Sequence, residues 1–526
     1  MNCWGGQSCF TCVSHLKKLH VRTACVITRS VRTAYWNMGC QTPRWSSSTI
    51  WMIGRLSARQ TRCSCMCGMF PSLMRSSKMV TMSPPENRIY LPPGWKLRWI
   101  ISGNFATRTE GTVADGSILV SLDKFTYGGD AMGRLPDARA VFVPFALPGE
   151  HVRIRLLEEK QGYARAELLE VIQTSPERIP ARCPHFGVCG GCHYQHMPYT
   201  SQLEVKTSIL RDQLTRIGQI PNPPIQPIQS CPNPWNYRNH VQFHLQPDGH
   251  LGFLSPNSRR IVPVSECHLP EAPLNALWPQ LELEAETGIE RLSLRLGANE
   301  DILLLLESRQ PEIPGLELQA GISVVHLFEG ESLVLAGDDH IRVEIQPTSL
   351  SQNRSFHVSA GSFFQVNTRM AEELVDHLLA NLPDNLDTLL DVYCGAGLFS
   401  AFLAPHVRRL IGIEVSPTAC EDFSLNLDEF DNVELYEATA EQALPALQLK
   451  PDVILVDPPR AGLERSALEA MLAMQPKTLA YISCDPATLA RDARRLLSGG
   501  YQLQQVTPFD LFPHTFHIES VSFFTR

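Results

Sequence analysis

The sequence predicts an α/β protein: a doubly wound, largely parallel sheet in its last region, preceded by a small β-barrel and a mostly β central region. Three observations carry this. From residue 388 onward, apolar runs of strand length ("TLLDVY", "RLIGIEV", "VELYEA", "DVILVDPP", "TLAYISC", "IESVSFF") alternate with helical stretches. Between 110 and 173 several short strands are separated by Gly, Pro and Asp turns, the texture of a small closed barrel. Residues 237–346 contain further strand patterns such as "HVQFHLQ", "RLSLRLG" and "DILLLLE".

The chain has 526 residues, of which 44% are hydrophobic and 19% charged, enough for about three domains with sizeable cores. No run of about 18 apolar residues is present, so no membrane-spanning helix is expected. Nor do the opening residues combine a basic stretch with an apolar one as a secretory signal does. A cytoplasmic location and a monomer are expected.

Charge is unevenly divided. Residues 1–107 hold 10 Arg and 4 Lys against one acid, Glu86, so the net charge of −8 arises entirely from residues 108–526. The same stretch holds 8 of the 16 Cys and 6 of the 8 Trp, with no sustained helical or strand period. A basic RNA-binding arm and an organelle transit peptide are two readings. The favoured one is an atypical extension that is not a native domain, translated upstream of a start at Met79 or Met82.

The expected boundaries are 108–173 for the barrel, 174–360 for the central domain and 361–526 for the α/β domain. On the barrel, Lys124, Tyr127, Arg134, Arg153, Arg155 and Arg165 are candidates for phosphate contact and base stacking. A cysteine-bearing segment follows at 183–192, then an amphipathic helix near 199–217. The proline-rich "IPNPPIQPIQSCPNPW" (220–235) marks a loop or boundary, and a helix near 368–382 leads into the last region.

In such sheets ligands sit beyond the carboxyl ends of the strands. "LLDVYCGAGLFS" (389–400) reads as strand, acidic residue, Gly-x-Gly turn and helix start, the glycines allowing close backbone approach to a ligand. Glu414 ends the next strand at the offset from which an acid can hold ribose hydroxyls. Phe399 or Ser400 stands where a dinucleotide fingerprint needs a third Gly or Ala. A nucleoside without a pyrophosphate, S-adenosylmethionine, is therefore the expected ligand. "VDPPRAGL" (456–463) follows the fourth strand, with Asp457 able to accept hydrogen bonds or a proton and the prolines fixing the loop.

"CPHFGVCGGC" supplies Cys183, Cys189 and Cys192, and "SECHLP" supplies Cys267. Four thiols suffice for a zinc ion or an iron–sulfur cluster. The paired knuckles usual for zinc and the tight triplet of radical enzymes are both absent. Spacing alone leaves cluster, zinc and no metal open.

Cys484, in "YISCDPATLA" (481–490), ends an apolar strand at the ligand-binding edge, where a thiol can be a packing residue or a nucleophile. Taken together, "SFFQVN" (362–367), "DVYCGAGLFS", "DPPRAGL", "YISCDPATLARD", "FDLFPHTFHIES" (509–520), the four cysteines and the barrel resemble the RNA uracil-5-methyltransferase family, in particular its 23S ribosomal RNA branch with a TRAM barrel. The resemblance covers 110–526. It implies that Gln365, Tyr393, Glu414 and Asp457 contact S-adenosylmethionine, that Cys484 is the nucleophile and Glu519 the general base. It further implies that Cys183, Cys189, Cys192 and Cys267 hold a 4Fe–4S cluster. The implied substrate is 23S ribosomal RNA, with a transfer RNA enzyme and a non-catalytic RNA-binding factor as alternatives. One departure is Asp485, where the family often has Asn. A carboxylate beside the sulfur would raise the thiol pKa and slow attack.

Overall fold

The computed structural model describes residues 19–23 and 116–526, apart from 257, 285–286, 313 and 318–320. Of the basic extension only the strand Leu19–Thr23 is described, paired with Leu281–Leu283 and Pro314–Glu317. The rest of 1–107 lies outside the described residues.

The expected barrel is present and closed. Its five strands run in the order Ile118–Phe125, Ala131–Arg134, Ala140–Val143, Tyr163–Gln173, His151–Glu159. Alternate residues (Val120, Leu122, Val141, Val143, Val152, Ile154) point inward and are buried, as the two-residue period of a strand requires. Its exposed cations are largely spoken for: Arg153 pairs with Glu170, Arg155 with Glu167 and Arg165 with Asp130.

The central region is a seven-stranded sheet in the order Glu331–Ala336, Ser323–Phe328, Ile302–Ser308, Ile289–Leu296, His240–Leu245, Leu251–Leu254, Ile261–Pro263. Ile302–Leu306, the run "ILLLL", is buried along its whole length, as a central strand covered on both faces must be. The helix expected near 199–217 spans Tyr199–Arg216 and that near 368–382 spans Thr368–Asn381. Asn367 caps the latter, its side-chain oxygen accepting from the Met370 amide.

The last region is the predicted doubly wound sheet. Its strands in chain order are β1 (Leu386–Val392), β2 (Val407–Glu414), β3 (Val433–Glu437), β4 (Val453–Val456), β5 (Thr478–Ser483), β6 (Gln502–Phe509) and β7 (Glu519–Thr525). Their spatial order is 3-2-1-4-5-7-6. The first five are parallel, while β7 inserts antiparallel between β5 and β6. Their buried Val, Ile and Leu runs reflect helices on both faces. The proline-rich 220–235 segment is more than a boundary. It runs beside the outer edge of β6, with Gln226 and Gln229 amides donating to the carbonyls of Val506 and Pro508. That covers a strand edge which would otherwise present unpaired backbone groups.

Candidate active site

The residues singled out in the sheet all lie at its carboxyl edge. Cys484 follows the fully buried β5 and is itself half-buried. Glu519 is the first residue of β7, which runs antiparallel to β5 with Ser483 opposite Ser520. Continuing that register by one residue sets Cys484 opposite Glu519, in the position of a cross-strand pair. The local reason is the strand reversal: β7 begins at the edge where β5 ends.

Glu519 is buried, and burial followed by the charge of Asp457 drives its carboxyl well above the usual carboxylate range, with Arg460 opposing. Asp457, just beyond β4, is likewise pushed up by burial and then by Asp391. The charge of Asp457 thus disfavours ionisation of Glu519. Cys484 is pushed up to about 12, by burial first, then by Glu519 and Asp457, with Arg460 opposing and Asp485 the smallest contributor.

The expected conflict with Asp485 is thus minor, and geometry explains it. Asp485 caps the helix Pro486–Ser498, its Oδ1 accepting from the amides of Ala487 and Thr488 at 2.9 Å each. Its Oδ2 accepts from the Tyr127 hydroxyl at 2.9 Å. Both carboxylate oxygens are thus engaged.

At the other end of the edge, the Gly-x-Gly turn connects β1 to the helix Leu398–Leu403. Gly395 (φ +54°) has nothing within 4 Å of where a Cβ would stand, so the turn opens onto free space suited to a ligand. Glu414 ends β2, and its carboxylate accepts from the amides of Gly395 (3.0 Å), Val415 and Ser416 (both 2.8 Å). These bonds fix its orientation while leaving lone pairs for a ribose. Tyr393 follows β1 with φ +66°, its amide donating to the Ile413 carbonyl. Gln365 lies two residues before the Asn367 cap, its carbonyl accepting from the Asn239 side chain.

Asp391, one of the residues in "LLDVY", has a larger part than its place in the motif indicated. It is fully buried and one oxygen accepts from the Ser400 hydroxyl at 2.6 Å, while the other has no partner. Burial raises its pKa to about 7, with the charge of Glu414 adding to the rise. An orphaned buried oxygen below an open glycine turn fits a site completed by a polar ligand.

The segment 510–518 that leads into Glu519 is held from several sides. Lys206 pairs with Asp510 at 2.5 Å and donates to the Phe512 carbonyl; Gln202 bonds His514; Asn367 donates to the Leu511 carbonyl. Trp235 stacks on His514 at 3.6 Å between ring centres.

Cys183, Cys189, Cys192 and Cys267 all line one cavity of about 360 Å³, together with Arg238, Thr515 and His517. Burial raises the thiols of Cys192 and Cys267 to about 12 and about 11, and both feel the Arg238 guanidinium. Among the described residues, no three His, Cys, Asp or Glu side chains stand in a group that could hold a metal ion. The four thiols share the lining of that cavity without forming a metal-binding group. No helix among the described residues is long and apolar enough to cross a membrane.

The sequence pattern described as tRNA (uracil-5-)-methyltransferase matches residues 319–526, and that of the TRAM domain matches 117–169. An RNA methyltransferase of Halalkalibacterium halodurans is 35% identical over 447 residues, spanning 77% of this chain and 95% of the relative. One of Thermosynechococcus vestitus is 34% identical, spanning 78% of this chain and 98% of the relative. In fold, the chain is similar to a solved tRNA (uracil-54, C5)-methyltransferase of Pyrococcus abyssi, with a TM-score of 0.59, 22% identity and coverage of 77% of this chain and all of that one.

Proposed function

This chain belongs to the tRNA (uracil-5-)-methyltransferase family, and on that premise we propose that it methylates carbon 5 of a uridine in 23S ribosomal RNA through a covalent adduct on Cys484. RNA uracil-5-methylation dependent on S-adenosylmethionine is the family's activity. The observation that carries the mechanism is the register placing Cys484 opposite the buried Glu519.

Carbon 5 of uracil is too poor a nucleophile to take a methyl group unaided. Addition of the Cys484 thiolate to carbon 6 breaks the 5,6 double bond and loads electron density onto carbon 5, dividing one hard step into easier ones. S-adenosylmethionine supplies, when bound, the electrophilic methyl group and a positive charge that opposes the raised pKa values of Cys484 and Glu519. Glu414 would hold the ribose, and Gln365, Tyr393 and Asp457 would form the rest of that site. After transfer Glu519 takes the proton from carbon 5, the double bond re-forms and the thiolate leaves. A carboxylate with a raised proton affinity suits that role. The uridine must be turned out of its stack to expose both faces, which favours a loop or remodelled hairpin.

We assign the four-cysteine cavity to a 4Fe–4S cluster, which would tie 183–192 to Cys267. Four soft donors lining one cavity beside a guanidinium are the donor type such a cluster takes. Methyl transfer needs no electron from it, so its part is structural. Barrel and cysteine cavity together favour ribosomal over transfer RNA, with the enzyme acting as a monomer in the cytoplasm.

The test uses RNA tritiated at uracil carbon 5. Anaerobically purified protein with S-adenosylmethionine should release tritium from unmodified 23S RNA, and Cys484→Ala should abolish the release. Release from transfer RNA alone would move the substrate assignment. No release from either RNA under reducing conditions would overturn the function.

A further inference from the structure

Tyr127 stands at the tip of the barrel, next to Phe125 at the end of its first strand, and belongs by sequence to a domain more than three hundred residues from the thiol. Its hydroxyl donates to Asp485 Oδ2 at 2.9 Å, and its ring meets Phe516 edge-on at 5.7 Å. Phe516 lies three residues before Glu519. One barrel side chain therefore touches both segments that deliver the proposed nucleophile and base. The same ring and Phe516 line a cavity of about 790 Å³ beside the barrel.

We propose that Tyr127 is a positioning residue for methyl transfer: its hydroxyl pins the Asp485 carboxylate against the helix N-terminus and so keeps that charge turned from the Cys484 sulfur. The inference rests on Cys484 as the nucleophile. Asp485 has two tethers, the helix cap through Oδ1 and Tyr127 through Oδ2. Without the hydroxyl, Oδ2 loses its donor and the carboxylate can swing about the remaining cap. The charged and titratable groups around the thiol are Glu519, Asp457, Arg460 and Asp485, with the Tyr127 phenol itself next to both Cys484 and Asp485. Three of these are acids and one is a cation, so a carboxylate turned toward the sulfur meets little compensation and lowers the thiolate population. The barrel would then act as a fixed support of the catalytic loop as well as an RNA-binding module.

The experiment compares the full-length protein with Tyr127→Phe, Asp485→Asn and the double variant. The rate at which iodoacetamide alkylates Cys484 is followed against pH by peptide mass spectrometry. Tyr127→Phe keeps the ring packed on Phe516 and should slow alkylation about threefold at neutral pH, moving the profile up by about half a pH unit. In the Asp485→Asn background the same change should have no effect, because Asn keeps the helix cap without the charge. In tritium release, Tyr127→Phe should lower kcat and leave the KM for S-adenosylmethionine unchanged. Superimposable alkylation profiles for wild type and Tyr127→Phe, or an equal slowing in the Asp485→Asn background, would overturn the proposal. Tritium release that survives Cys484→Ala overturns the nucleophile instead, and leaves the alkylation comparison standing.

Discussion

Lys206 and Asp510 form an ion pair at 2.5 Å in which neither side chain reaches solvent. It joins the helix Tyr199–Arg216 to the segment that runs into Glu519. Removing one partner of such a pair leaves an uncompensated buried charge, a cost of about 3–5 kcal/mol. Lys206→Met should therefore lose that order of stability in urea unfolding and speed amide exchange across 510–518. Lys206→Met combined with Asp510→Asn should recover much of the stability, since no charge is then stranded.

In the proposed reaction, Glu519→Gln should separate the two halves. Thiolate addition and methyl transfer do not need the carboxylate to take a proton, whereas elimination does. The variant should accumulate an RNA–protein adduct that carries the methyl group and survives denaturing electrophoresis. Glu519→Gln with Cys484→Ala should show none. A Glu519→Gln enzyme that turns over normally, with no adduct, would show that another group removes the proton.

Asp391 makes stability pH-dependent in a stated direction. Its folded-state pKa, about 7, lies above the ordinary 3.8, so the folded protein holds this proton more tightly than the unfolded chain. The stabilisation is fully present below pH 3.8 and is lost as pH rises through about 7. Asp391→Asn keeps an acceptor for Ser400 and removes the titration. In the absence of cofactor it should be more stable than wild type at pH 8, by on the order of 4 kcal/mol at most, and nearly equal to it at pH 4.

Glu414→Ala should weaken S-adenosylmethionine binding about tenfold or more by calorimetry. The change removes a charged acceptor for ribose hydroxyls and releases three backbone amides. Unchanged affinity would place the nucleoside elsewhere on the sheet edge.

Cys189→Ser should lower the iron and acid-labile sulfide content of anaerobically purified protein. Chelation of the wild type should produce the same protein-level change, greater protease sensitivity within 183–192. Equal iron and sulfide in both proteins would remove the cluster assignment.

Much of this was readable from the residues. The apolar runs from 388 onward and the helices at 199–217 and 368–382 correspond to observed elements, the barrel is present, and only the strand Gln502–Phe509 of the last sheet had no run of its own in the reading. Period and turn chemistry are local, and local signals survive in one dimension. Strand direction is not local: nothing in "IESVSFF" shows that β7 runs against its neighbours, yet that reversal sets Glu519 beside Cys484. Side-chain direction failed for a related reason. Asp485 adjoins Cys484 in the chain and does add to the rise of its thiol pKa, but as the smallest contributor, its carboxylate being held in a helix cap. Tyr127 was read as a residue for RNA because it lies on the barrel, and its hydroxyl instead reaches Asp485. The buried, half-satisfied state of Asp391 depends on packing from both faces of the sheet. Its one signal was an acid within the apolar run "LLDVY".

The Tyr127–Asp485 bond closes a span of 358 residues, and the Gln202–His514 contact one of 312. Closing such long loops adds little to the equilibrium cost, which grows only logarithmically with span. Kinetically the effect is larger, because pairings this distant form late, after local structure is in place. Barrel, central sheet and α/β sheet can each reach their own shape before those ties exist. The catalytic edge is thus among the last parts of the molecule to mature, and a chain with native-like secondary structure can still lack a working site.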